Sequence, residues 1–176
     1  MLGAKHIIEA WLHSKVHIDP FEPKQVGPNS YDVRLGGYLV QVKRNCWWGI
    51  DPDKPQRVGK EISIYNSKGK ILWPWQLWLG CTREEIGSAH YVPMLEGRSS
   101  IARMGLFVHV TAGFGDVGFQ QTWTLELKSI LPIKVRAGMR IAQVSFHEVS
   151  DIGLQYTKEG NYVDQVGPTP SKYRPD

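Results

Sequence analysis

Apolar side chains near the start of the chain recur at three- and four-residue spacing. Ile7, Ile8, Trp11 and Leu12 share one side of Lys5 to Ser14, which predicts a short amphipathic helix packed on a sheet. From Tyr31 the period drops to two: Tyr31, Val33 and Leu35 alternate with Asp32 and Arg34, and Tyr38, Val40 and Val42 continue after Gly36-Gly37. This reads as strand, bulge, strand. Ile62 to Tyr65 and Lys70 to Leu72 bracket Asn66-Ser67-Lys68-Gly69, a hairpin signal. Trp73 to Leu79 reads as a strand whose three tryptophans serve a core or a subunit contact. Leu106 to Val110, Thr122 to Leu127, Ile133 to Val135 and Met139 to Phe146 complete the strand set, with Trp123, Leu125 and Leu127 opposite Thr122, Thr124 and Glu126. One helix, many short strands and no βαβ rhythm predict a mainly β fold, a compact antiparallel barrel or jelly-roll-like sandwich.

Composition narrows the class. The 176 residues suit one domain over 1–176, and the polar, glycine- and proline-bearing stretch from about 151 reads as a mobile tail. A formal charge of +4 favours an anionic partner, but the cations are scattered and form no nucleic-acid-binding tail, so a small polyanion is expected rather than nucleic acid. Lys5, His6, Glu9 and His13 interrupt the first apolar segment, so neither a signal peptide nor a membrane span is expected and the protein reads as cytoplasmic. Cys46 and Cys81, far apart in sequence, read as free thiols.

The densest chemistry lies in Leu95 to Arg103, where Arg98 and Arg103 flank Ser99 and Ser100. If Ser99 to Met104 is a short helix, Ser99 and Arg103 share a face, and hydroxyls with an arginine fork suit phosphate oxygens. Gly113 to Gly118 is a turn exposing Asp116, and Glu126 points off the apolar layer of its strand. A carboxylate base beside such a cradle, with water as nucleophile, forms a coherent hydrolytic site. The His-x-Glu and Pro-Cys-x-x-Cys ligand pattern of zinc deaminases is missing, as are the Gly-x-Ser-x-Gly elbow and the Walker loop. His109 and the other five histidines read as ordinary core or surface imidazoles.

These stretches, in this order, resemble the dCTP deaminase family of the trimeric dUTPase superfamily. The match runs through Val26 to Gly36, Leu72 to Thr82, Glu96 to Arg103 with Gly105-Leu106 and His109 to Phe114, Thr124 to Leu127, Gly138 to Ile141, and the tail from Tyr162 to Ser171. The resemblance implies the distorted jelly roll, or β-clip barrel, of dUTPases and a homotrimer with sites between subunits. Glu126 of one chain would be the base that moves a proton from water to the leaving amino group of cytosine. Ser99 and Arg103 of its neighbour would place the water and stabilise charge. Arg98 and Ser100 would hold phosphates with Mg²⁺, the backbone of Thr111 and Ala112 would read the pyrimidine, and Tyr162 and Gln165 would close over the triphosphate. No metal site made by the protein itself is expected. The implied reaction is dCTP to dUTP and ammonia, and Gly113-Phe114, apolar where relatives that stop at dUTP carry basic residues, points onward to dUMP and pyrophosphate with Asp116 orienting water. A dUTP diphosphatase and a non-catalytic nucleotide-binding relative are the alternatives. Gln121, Ala142, Gly115 and Asn161 depart from the family pattern.

Overall fold

The computed structural model describes residues 1–65, 68–109, 112–156, 160–163 and 165–173. Among them the order is α1 (Ala4–Leu12), β1 (His17–Asp19), a 3₁₀ turn (Pro23–Gln25), β2 (Tyr31–Arg34), β3 (Tyr38–Lys43), β4 (Arg57–Val58), β5 (Ile62–Ser63), β6 (Lys70–Leu72), β7 (Leu77–Gly87), β8 (Val92–Gly97), α2 (Ser99–Ala102), β9 (Leu106–Phe107), β10 (Gln120–Ser129), β11 (Ile133–Val135) and β12 (Arg140–His147). Every pairing between these strands is antiparallel. The seven-stranded sheet runs β4-β3-β7-β10-β9 with β1 and β5 added at β7 and β3; β2-β12-β8 form a second sheet and β11-β6 a small third. Tyr31, Val33, Ile141, Val144 and Phe146 of the second sheet join Trp78, Ile86, Leu125 and Leu127 of the first in one buried cluster. The architecture is the mainly β, distorted antiparallel jelly roll expected from the pattern.

Helix α1 buries Ile7 and Ala10, while Ile8 and Leu12 stay exposed, so the apolar stripe is narrower than its sequence suggested. It ends where Ser14 takes a left-handed φ of 56°.

Three local expectations change. Gly36-Gly37 is a change of sheet, not a bulge: β2 pairs with β12 whereas β3 pairs with β7. Glycine is required because a Cβ on Gly36 would press on Cys81 and one on Gly37 would enter the Tyr65 ring. The expected hairpin does not form, since β5 pairs with β3 and β6 with β11; Asn66 and Ser67 lie outside the described residues. The tryptophan strand starts only at Leu77. Trp75 has φ 66° and is 96% exposed, Trp73 is exposed, and Trp78 alone of the three is buried.

Strand β7 contains an irregularity that ties the sheets together. Thr122 faces Glu85 and Thr124 faces Cys81, so two residues of β10 span four of β7. The added length turns Glu84 inward, where its buried carboxylate accepts hydrogen bonds from Arg34 N at 2.9 Å, Arg34 Nε at 2.6 Å and Gln25 Nε2 at 3.2 Å. Removing one partner of so buried a pair strands the other charge, typically at a cost of about 3–5 kcal/mol.

Candidate functional site

A cavity of about 450 Å³, within the range of small-molecule sites, opens over the Glu126 face of β10. Alternation along β10 beyond its irregularity creates that face: Leu125 and Leu127 are buried in the core while Thr124 and Glu126 are half-buried on the other side. Leu79, the register partner of Glu126 on β7, lines the same cavity, as do Phe119, Trp123 and Tyr156. Their rings are fixed edge to face, Phe119 against Trp123 at 5.6 Å and against Tyr156 at 5.4 Å between centroids. Such walls suit a flat, weakly polar ring.

Of the residues singled out in the sequence, Glu126, Asp116, Ala112, Tyr162 and Gln165 line this cavity. Thr111 lies outside the described residues. Arg98, Ser99, Ser100 and Arg103 do not line it. Ser99, Ser100 and Arg103 are exposed at α2, where Ser99 and Arg103 are one turn apart. The Arg98 guanidinium is held by Asp32, Nε to Oδ1 at 2.9 Å, and Asp32 also faces Arg140 at 3.4 Å. One chain therefore brings together Glu126, Asp116, Ala112 and the tail residues Tyr162 and Gln165, but not the serine and arginine set.

His109 was read as an ordinary imidazole, and the structure corrects that reading. Its Nδ1 is paired with Glu126 Oε2, and its side chain is only 6% exposed against 33% for Glu126. An ionised carboxylate can only accept, so opposite such a group Nδ1 is the donor. Nε2 is buried without a hydrogen-bond partner among the described residues. The pairing restrains one oxygen of Glu126. A polar residue at the end of a strand pattern was the sequence signal; its partner, 17 positions away on another strand, was not visible there.

Asp116 is exposed on the turn from Gly113 to Gly118, which is stitched to β8 and its flank by Leu95 N to Gly113 O at 2.7 Å, Gly115 N to Pro93 O at 2.9 Å and Gly118 N to Ser88 O at 2.7 Å. Gly115, where the family pattern has a branched apolar residue, has its reason in Trp123: a Cβ on Gly115 would run into the indole. Cys81, on β7 beneath the site, is a free thiol, and burial pushes it up to about 11, so it stays protonated and inert as a nucleophile.

The tail crosses the cavity. Gln165 is buried with its Nε2 on the Thr122 carbonyl, and Thr169 N donates to Thr124 Oγ1 at 3.2 Å. Tyr162 N donates to Tyr156 Oη at 2.8 Å. Among the described residues no group of three or more His, Cys, Asp or Glu side chains could hold a metal ion, and no helix is long and apolar enough to cross a membrane.

The family profile described as dCTP deaminase-like matches residues 1–149. Over 173 residues the chain is 42% identical to a protein named dCTP deaminase, dUMP-forming, from Clostridium acetobutylicum, covering 97% of this chain and 95% of that one. A protein of the same name from Cytophaga hutchinsonii is 43% identical over 160 residues, covering 91% and 89%. Among solved structures, that of 2'-deoxycytidine 5'-triphosphate deaminase from Agrobacterium tumefaciens superimposes with a TM-score of 0.66 at 22% identity. It matches 84% of this chain, which spans 48% of that longer chain.

Proposed function

The chain belongs to the dCTP deaminase-like family, and from that membership we propose that it deaminates dCTP hydrolytically and carries the product on to dUMP and pyrophosphate. The observation that carries this reading is the Glu126 carboxylate, paired with His109 and facing a cavity walled by aromatic rings. Glu126 takes a proton from water as the water oxygen bonds to C4 of the cytosine. It then delivers that proton to the amino group, the C4–N bond breaks to release ammonia, and the remaining hydroxyl proton passes to N3 to leave the uracil carbonyl. His109 holds the base in position. Thr111 and Ala112 read the pyrimidine edge through their backbone.

The serine and arginine set is supplied by a neighbouring chain in a homotrimer. This accounts for Ser99, Ser100 and Arg103 lying exposed and away from their own chain's cavity. A ring in which each chain lends one patch to the next closes with three such sites. Ser99 places the attacking water, Arg103 stabilises charge on the ring, and Arg98 with Ser100 binds phosphate. Mg²⁺ arrives on the triphosphate as part of the substrate, where it offsets phosphate charge. Tyr162 and Gln165 cover the phosphates from the tail.

The onward step is favoured by Asp116, which lines the same cavity as Glu126, and by relatives named dUMP-forming at about 40% identity. Its carboxylate takes a proton from water as the water oxygen bonds to the α-phosphorus, the P–O bond to the β-phosphate breaks, and pyrophosphate leaves. Incubation with dCTP and Mg²⁺, scoring ammonia, dUTP, dUMP and pyrophosphate separately, is the direct test. Equal ammonia and dUMP are expected. Stoichiometric dUTP without pyrophosphate would remove the second step, turnover of dUTP alone would identify a dUTP diphosphatase, and binding without product would indicate a non-catalytic relative.

A further inference from the structure

The loop joining β3 to β4 also reaches this cavity. Gln56, its last residue, lines the cavity together with Thr169 and Ser171 of the tail. Asn45 gives the loop its shape: its Nδ2 donates to the Asp51 carbonyl at 2.8 Å, its Oδ1 accepts from Asp51 N at 2.7 Å, and the carbonyls of Lys54 and Pro55 lie within 3.3 Å of Nδ2. An ion pair from Lys54 Nζ to Asp51 Oδ2 at 3.0 Å closes the same turn. The chain then enters β4 directly, with Arg57 and Val58 paired to Lys43 and Val42. Both ends of the loop are therefore anchored, and Gln56 is presented from a supported position rather than from a free arm.

Its Oε1 accepts a hydrogen bond from Ser171 N at 2.7 Å. Earlier in the tail, Tyr156 N donates to the Val117 carbonyl at 2.7 Å, and Gln165 Nε2 and Thr169 N are fastened to the Thr122 carbonyl and Thr124 Oγ1 of β10. Gln56 is an anchor on a different element, and the segment between Thr169 and Ser171 spans from the strand bearing Glu126 to the β3–β4 loop. Just beyond it Lys172 N donates to Tyr162 Oη at 3.3 Å, a contact within the tail itself, so the Gln56 bond is what ties this end of the segment to the β3–β4 loop and limits its swing off the cavity.

We propose that Gln56 is a positioning residue for the tail: it fastens residues 169–171 across the cavity and so governs how tightly nucleotide is held, without entering the chemical step. The kinetic part of this rests on the function proposed above; the contact itself does not.

The test uses the full-length protein and reads two things, hydrogen exchange at the Ser171 amide without nucleotide, and kcat and KM for dCTP with Mg²⁺. Gln56→Ala should speed exchange at Ser171 and raise KM by about 2- to 10-fold, the scale of one neutral hydrogen bond, with kcat moved by less than about twofold. Gln56→Glu keeps an acceptor oxygen and should restore the slow exchange. Ser171→Pro removes the donor; it should raise KM as much as Gln56→Ala does, and the two together should do no more than either, because they delete the same bond. Unchanged Ser171 exchange in Gln56→Ala would overturn the proposal, and additive KM effects would show that Gln56 acts on the nucleotide directly. If the wild-type protein does not turn over dCTP, the function fails, while the exchange comparison still decides whether Gln56 holds the tail.

Discussion

Strand β10 and the segment from Arg98 to Arg103 both present charged and hydroxyl side chains, but β10 faces a cavity and the other segment faces open surface. On β10 the carboxylate of Glu126 has an imidazole partner, aromatic walls and a tail laid across it. On α2 the serines and Arg103 are exposed, and only Arg98 is held, by Asp32. The two are close in the fold: β8, which leads into Arg98, is hydrogen-bonded to the turn bearing Asp116. The difference is thus one of direction rather than distance along the fold. A strand packed on the core can wall a pocket from its own chain, whereas a four-residue helix at a sheet edge presents its side chains outward.

If β10 holds the base, Glu126→Gln should keep nucleotide binding and lose deamination by about 10² to 10⁴, since an amide cannot take the water's proton. Ammonia release at saturating dCTP measures it, and near-normal turnover would remove Glu126 from that role.

The outward direction of α2 is sharpened by complementation. Glu126→Gln and Arg103→Ala should each be nearly inactive as pure preparations. Unfolded together in equal amounts and refolded, they should recover roughly a quarter of wild-type activity, because that share of sites between chains draws both intact residues. No recovery despite demonstrated mixing would mean that each site is built within one chain.

Within the cavity, Asp116→Asn should separate the two steps. Pyrophosphate release should fall by about 10- to 100-fold while ammonia release changes by less than about threefold, if the exposed turn serves the α-phosphate only. Parallel loss of both products would assign Asp116 to the shape of the turn.

Much of the β10 half was legible beforehand, because an alternating strand declares its two faces and places Glu126 opposite Leu125 and Leu127 in any register that buries the apolar set. Helix α1 was legible for the same reason at its own period. Non-local pairing was not. Tyr31 to Val42 reads locally as one interrupted strand, and only the partners β12 and β7 show that it changes sheet at Gly36-Gly37. Trp75 gave no warning of its left-handed backbone, being neither glycine nor asparagine. His109 and Gln56 were missed because their meaning lies in partners 17 and 115 residues away. Gly115 stood out as a departure, but its cause, the Trp123 indole, belongs to another strand. The Arg98 to Arg103 motif was the most conspicuous in sequence, and its position relative to the cavity depended on tertiary structure that local pattern does not encode.

The smallest expected effect concerns the loop that supplies Gln56 to the cavity side. A hydrogen bond from the Lys54 ammonium, then one from the Asp53 N–H, holds the Asp51 carboxyl below its ordinary value. A carboxyl with a depressed folded-state pKa supports the fold fully above its unfolded value and loses that support as pH falls through the folded one. The loop should therefore be unaffected from neutral pH down to the ordinary carboxylate range and loosen only below it. The Asp51 side chain is 23% exposed and that of Lys54 57%, so the change should be slight and should shrink in high salt, which screens the ion pair. NMR of the Asn45 side-chain amide across an acid titration reads it, since that group donates to the Asp51 carbonyl. The signal should shift in wild type and stay nearly flat in Asp51→Asn, where no charge remains to be lost. An equal acid response in both proteins would show that the loop is held by the Asn45 hydrogen bonds alone.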